Sequence, residues 1–267
     1  MAPTSTPQYE QLTLNYDGAV ATITLNNPNK RNALSESMMN EITAALREVG
    51  TSDTLLVVLA ANGSAFSAGH NLADLVDITL PQARKLFRSC VNMIETIQGI
   101  PQPVIAKVHA VAAAGGCQLV ASCDLVVAAD TATFSIPGIK RGLFCHTPLV
   151  AVSRNVGAKH ALEMALTGDS ITAATAEQWG LINYAVPATE LDSAVDKLIH
   201  RIIDDGSPYA RSLGKKLFYD QLGVTQASAY DLAAEVVALN AVLPDAQEGF
   251  VSFVEKRQPV YKMLPNG

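Results

Sequence analysis

Apolar and polar positions alternate with a period of two along residues 9–16 and again along 19–26, on either side of Asp17-Gly18, a pattern that predicts a β-hairpin at the start of the fold. The period then lengthens. Residues 36–49 carry Met38, Ile42, Ala45 and Leu46 at helical spacing behind Ser35, whose hydroxyl suits an N-cap. Residues 54–60 are almost continuously apolar, as expected of a strand buried on both faces. An amphipathic helix over 80–97 leads to another such run, 103–108. Strands are predicted over 124–129 and 133–134. A helix over 149–156 follows, with Thr147 as its cap and Pro148 in its first position. Helices over 159–166 and 173–179 and a short strand over 182–186 complete this part. From 191 to 256 the pattern is mostly helical, carrying Leu198, Ile202, Leu213, Leu217, Leu232, Val236 and Phe250. So many amphipathic helices at one end suit packing on another subunit. Strand, small-residue loop, helix and strand recur, which predicts an α/β fold of successive βαβ turns with loops gathered beyond the carboxyl ends of parallel strands.

Two of those loops hold the candidate chemistry. Residues 111–117, with adjacent Gly115 and Gly116, precede an apolar segment, 118–122, that reads as the opening of a buried helix. Glycine lets backbone approach a ligand closely, and the first-turn amides of a helix have no intrahelical partner, so they can face an oxygen carrying negative charge. Such a turn also serves close packing alone. Residues 61–72, with Gly63, Gly69 and His70, form a second loop of the same kind. Lys30 and Arg31 sit on a polar loop before the first helix, as solvated charges or as phosphate contacts.

Composition narrows the partners. A net charge of −6 with no basic block argues against nucleic acid. Cys90, Cys117, Cys123 and Cys145 form no C-x-x-C pair, which fits a reducing, cytosolic compartment. Residues 1–7 lack the features of a signal or transit peptide and read as a disordered tail, placed at 1–8. Apolar runs such as 125–129 fall far short of the ~20 residues needed to cross a bilayer, so no membrane association is expected. No metal-ligand spacing appears.

Residues 66–72 (Phe-Ser-Ala-Gly-His-Asn-Leu), Gly115-Gly116-Cys117-Gln118-Leu119 with Cys123-Asp124 after it, and Leu166-Thr167-Gly168 followed by Ala176, Gly180-Leu181 and Val186-Pro187 resemble the enoyl-CoA hydratase/isomerase (crotonase) superfamily. The resemblance runs from about Tyr9 to Arg257. It implies a crotonase-like spiral of ββα units over residues 1–190, a C-terminal helical region over 191–267 used in trimerisation, and a homotrimer or a dimer of trimers. It also implies an acyl-CoA thioester as ligand, with coenzyme A entering as part of the substrate and no permanently bound cofactor. The thioester oxygen would meet the main-chain amides of His70 and Gly115. One such donor contributes about 2.7–4 kcal/mol in measured acyl-transfer cases. Ala68 would meet the adenine, Lys30, Arg31 and Ala33 would lie along the CoA, and Phe253 and Lys256 would reach it from the C-terminal helix, either within the chain or from a neighbouring subunit.

The chain departs from the hydratase pattern at both acid positions. The two glutamates of the hydratases fall on Gln118 and Gly138, and neither replacement titrates, so acid–base catalysis worth ~10²–10⁴-fold per group is lost at each. His146 falls where other members place a catalytic aspartate. It reads either as a titrating group, in a thioester hydrolase or isomerase, or as a histidine hydrogen-bonded near a helix start. Cys145 beside it is a candidate thiol partner, and Gln118 a candidate for orienting a water or the acyl chain. The sequence therefore supports either an acyl-CoA enzyme of this family or a CoA-ester binding protein that has lost the chemistry.

Overall fold

The opening hairpin forms one residue later than expected in the computed structural model, which describes residues 9–266. Strands β1 (Leu12–Asp17) and β2 (Val20–Leu25) pair antiparallel about Gly18-Ala19, with Gly18 at φ +55°. Helix α1 (Glu36–Gly50) starts where Ser35 accepts a hydrogen bond from the Met38 N–H, and it buries Met38, Met39, Ile42, Leu46 and Val49. The tail expected over 1–8 lies outside the described residues.

The recurring unit then differs from the one read from periodicity. Strand β3 (Leu56–Ala61) is followed by a second short strand, β4 (Ala65–Ser67), before helix α2 (Leu80–Gly99). The same order returns as β5 (Val104–Val108), β6 (Val111–Ala113) and α3 (Gly115–Ala121). It returns once more as β7 (Leu125–Ala129), β8 (Thr133–Ser135) and α4 (His146–Val152). Each unit is ββα, as the resemblance implied, and not the plain βαβ turn. The first strand of each pair joins a six-stranded sheet in the order β1-β2-β3-β5-β7-β10, and the second joins a four-stranded sheet in the order β4-β6-β8-β9. The chain thus spirals through two sheets at once.

Helix α5 (Ala158–Thr167), strand β9 (Ile171–Thr172), helix α6 (Ala173–Trp179) and strand β10 (Tyr184–Val186) close the two sheets. The main core lies between the sheets and α1 to α6. Helix α7 (Leu191–Ile203) covers the other face of the larger sheet, where Leu191, Val195, Leu198 and Ile199 pack on Leu56, Ile105 and Val127. Helices α8 (Pro208–Gln221) and α9 (Gln226–Ala241) bury no residue, and α10 (Pro244–Glu255) buries only Asp245 and Ser252.

One buried ion pair ties α8 to this body. Lys215 Nζ lies 2.8 Å from Asp124 Oδ2 and also donates to the carbonyls of Ile97 and Gln102, while Asp124 takes further hydrogen bonds from the Val104 N–H and the Tyr219 hydroxyl. Burial pushes the lysine pKa down, and the adjacent carboxylate opposes it. Removing one partner strands the other charge away from water, so Asp124→Ala is expected to lower the unfolding free energy by about 3–5 kcal/mol, measured by urea denaturation.

Candidate active site

The 61–72 loop and the loop before α1 are tied together by a buried asparagine. Arg31 and Asn32 both take positive φ, +51° and +50°, a conformation asparagine tolerates better than most residues. That twist turns the Asn32 side chain inward, where Oδ1 accepts from the Asn27 N–H and Nδ2 donates to the carbonyls of Asn62 and Ala65. The Ser67 hydroxyl donates to the Asn32 carbonyl, the Ala68 N–H to the Arg31 carbonyl, and the Leu34 N–H to the Gly69 carbonyl. Lys30, Arg31, Ala33 and Ala68 are thereby held along one edge. Lys30, Arg31 and Ala68 are exposed, and neither cation has an acidic partner within salt-bridge reach among the described residues.

Close contact between backbones sets the next layer. A Cβ at Gly69 would lie 2.7 Å from the Ala113 carbonyl oxygen and 2.8 Å from the Gly115 nitrogen, and one at Gly116 would lie 2.3 Å from the Ser67 carbonyl oxygen. Neither position admits a side chain. Between them Ala114 adopts φ +49°, ψ −117°, a strained conformation for any residue with a Cβ, at a cost on the order of 1–3 kcal/mol. Helix α3 begins at Gly115, three residues before the expected start at 118. Among the described residues, neither the His70 nor the Gly115 main-chain N–H donates to a protein acceptor.

The His70 side chain belongs to the same spot. Its Nδ1 sits 3.2 Å from the Leu34 carbonyl, which only accepts, so Nδ1 carries the hydrogen. Nε2 is buried with no partner, a condition that costs about 1–3 kcal/mol. A Cβ built on Gly115 would lie 3.5 Å from that nitrogen, and the ring meets Phe87 of α2 edge-on at 5.3 Å. Burial lowers the pKa of the imidazole, against opposing influences from the Leu34 carbonyl and Asp74. Gln118, one turn along α3, is buried with Oε1 accepting from the Cys90 thiol of α2 at 3.6 Å, and its Nε2 donates to no protein group among the described residues.

Gly138, onto which the resemblance places the second glutamate, is crowded by backbone. A Cβ at Gly138 would lie 2.1 Å from the Leu143 carbonyl oxygen and 2.7 Å from Cys145 Sγ. The Gly138 N–H donates to that sulfur, and its carbonyl accepts from the Leu143 N–H. The Cys145 thiol is pushed up by burial and stays protonated near neutral pH. Occupied in this way, Cys145 takes the N-cap position of α4 without a side-chain cap. The helix starts at His146, so Thr147 is no cap and Pro148 stands in the third position. His146 is exposed, with its ring edge 5.1 Å from Phe144 and no hydrogen bond from its ring among the described residues.

Phe253 and Lys256 end α10, which packs on α8 and α9. Phe253 is 85% exposed, and Lys256 is exposed at φ +56°. Sequence reasoning missed Asn32, Ala114, Phe87 and the His70 side chain. Asn32, directly after two charged loop residues, is the one whose residue type signals a left-handed turn.

Two outcomes follow for this site. Since burial lowers the His70 pKa below its usual 6.5, the unfolded chain binds the proton more readily, and stability falls as pH drops through that value. The urea midpoint should therefore drop between about pH 7.5 and 5.5, and drop less in His70→Phe. Gly138→Glu cannot be seated without opening the 138–145 turn, so it is expected to lower the melting temperature by at least roughly 4 °C in a thermal scan.

Comparison with known proteins gives the family and the fold. The enoyl-CoA hydratase/isomerase family profile matches residues 15–263. A human relative, enoyl-CoA hydratase domain-containing protein 3, mitochondrial, is 41% identical over 92% of this chain and 82% of its own length. The crystal structure of a Mycobacterium smegmatis enoyl-CoA hydratase superposes with a TM-score of 0.91 at 42% identity, covering 94% of this chain and 98% of that one. That of the human domain-containing protein 3 superposes with a TM-score of 0.88 at 38% identity, covering 94% and 100%. The human, Xenopus laevis and Rattus norvegicus relatives are all named mitochondrial, which overturns the cytosolic expectation. Four buried free thiols fit any reducing compartment, so cysteine usage had no power to tell these apart. The chain belongs to the enoyl-CoA hydratase/isomerase family.

Proposed function

We propose that the chain binds an acyl-CoA ester with its thioester oxygen between the main-chain N–H groups of His70 and Gly115, which stabilise the enolate formed when a proton leaves or a nucleophile adds next to the carbonyl. The observation carrying this reading is that both donors are uncommitted, on segments held so close that no side chain fits at Gly69. Lys30 and Arg31 are exposed without acidic partners, which suits phosphates of CoA running past Ala33 and Ala68. Hydration by two glutamates is not the chemistry, because Gln118 and Gly138 cannot exchange protons near neutral pH. In this reading His146 is the proton-transferring side chain of a hydrolase or isomerase.

A second reading is favoured by the closed turn at Gly138, where backbone and the Cys145 sulfur occupy the space an acid would need. It is a CoA-ester binding protein without turnover. For either, the exposed apolar residues Phe218, Tyr230, Val237, Leu239 and Phe253 on the last three helices suit burial between copies, as a homotrimer or a dimer of trimers. Phe253 and Lys256 then reach the CoA of their own or a neighbouring subunit.

Calorimetry with butyryl-CoA, but-2-enoyl-CoA and free CoA tests the shared claim. Micromolar binding of the esters, weakened at least about tenfold in free CoA, is expected; equal binding of esters and free CoA removes the oxyanion site. Turnover of any ester, lowered about 10²-fold or more in His146→Ala, supports the first reading, whereas binding without turnover supports the second.

A further inference from the structure

Lys256 stands where a glycine would cost less. It ends α10 at φ +56°, ψ +40°, with its N–H donating to the Phe253 carbonyl and the following N–H, of Arg257, reaching back to the Ser252 carbonyl. Glycine is the usual residue at such a helix end, because a Cβ is crowded in the left-handed region. The Lys256 side chain is exposed, and its ammonium has no acidic partner within salt-bridge reach among the described residues. The strain therefore holds in place a cation that the fold itself does not pair.

The chain after this lysine is pinned back onto the helix before it. Arg257 grips Glu248, about two turns before Lys256 on α10, with Nη1 2.5 Å from Oε1 and Nη2 2.9 Å from Oε2, and its Nε donates to Glu255 at 2.7 Å. Glu248 Oε1 also accepts the Val260 N–H at 2.8 Å. Farther on, the buried Asp245 accepts the N–H groups of Lys262 and Met263, and Asn266 donates to the Ser52 carbonyl just past α1. Residues 257–266 thus return along α10 to the main body, and Lys256 is the crest of a clamped turn. A single exposed ion pair contributes little, but a two-pronged arginine on a carboxylate that also takes a backbone N–H fixes direction as well as position. The Arg257 guanidinium, and after it the Val260 N–H, hold the Glu248 carboxyl down at about 2, so the clamp is charged throughout the neutral range.

We infer that Glu248 and Arg257 are positioning residues, which aim the Lys256 ammonium at a phosphate of CoA. This rests on the acyl-CoA reading of the chain. Charge alone predicts the opposite for Glu248, because a carboxylate beside an anion site repels the ligand and its removal should tighten binding.

Calorimetry with free CoA at one fixed ionic strength compares the wild type, Lys256→Gly, Glu248→Gln and the double variant. Lys256→Gly suits the left-handed turn, so it removes the ammonium without disturbing the fold. It is expected to weaken binding about tenfold, the loss of one charge-assisted contact. Glu248→Gln is expected to weaken binding at least about threefold in the wild type and to change nothing in the Lys256→Gly background, since both losses act through one contact. A clamp that only steadied the fold would give the same loss in both backgrounds. Tightened or unchanged binding in Glu248→Gln overturns the inference, as does a loss that persists in the Lys256→Gly background, or a Lys256→Gly variant that binds like the wild type. Each of those results leaves the acyl-CoA reading standing, because the wild type still binds CoA. No binding by the wild type at millimolar CoA removes that reading and this inference with it.

Discussion

The geometry of the candidate site depends on the inward turn of Asn32. A buried carboxamide satisfied by the Asn27 N–H and by the carbonyls of Asn62 and Ala65 holds two segments, distant in sequence, at fixed separation. Because the Asn32 side chain itself is fully buried, losing its partners would leave a polar group stranded. From it follow the bonds of Ala68 to Arg31 and of Leu34 to Gly69, and then the contact of Gly69 with the Ala113–Gly115 backbone. The strained φ of Ala114 is tolerated because its surroundings leave no other path.

The two positions onto which the resemblance places the hydratase glutamates differ physically. At Gln118 the side chain remains, buried and half engaged, so the site retains a polar wall with its charge removed. At Gly138 the chain has closed over the missing side chain, with the Leu143 carbonyl and the Cys145 sulfur standing where its first carbon would be. At Gln118 a side chain has room, and at Gly138 the turn leaves none.

Periodicity located the hairpin, α1, α2 and the strands β3, β5 and β7 because each is long enough for burial to impose a pattern. It failed on β4 and β6, which are three residues each and lie inside small-residue segments where alternation has nothing to register; reading them as loops turned ββα into βαβ. The start of α4 was misplaced because Thr147-Pro148 is a good capping pair locally, while the tertiary bond from Gly138 to Cys145 begins the helix earlier. The loops bearing His70 and Gly115 were legible from their glycines. The His70 ring was not, since nothing in a sequence says which carbonyl will fix a tautomer.

The Lys215 anchor joins α8 to a helix that borders the candidate site. Its ammonium grips the Ile97 carbonyl at the end of α2, the same twenty-residue helix whose earlier turns present Phe87 to His70 and Cys90 to Gln118. A straight helix of that length is a stiff rod of roughly 30 Å. Its far end is fastened to α8, on the side where apolar residues stand uncovered. The contacts that fasten α8 therefore also pin the last turn of the helix that carries Phe87 and Cys90.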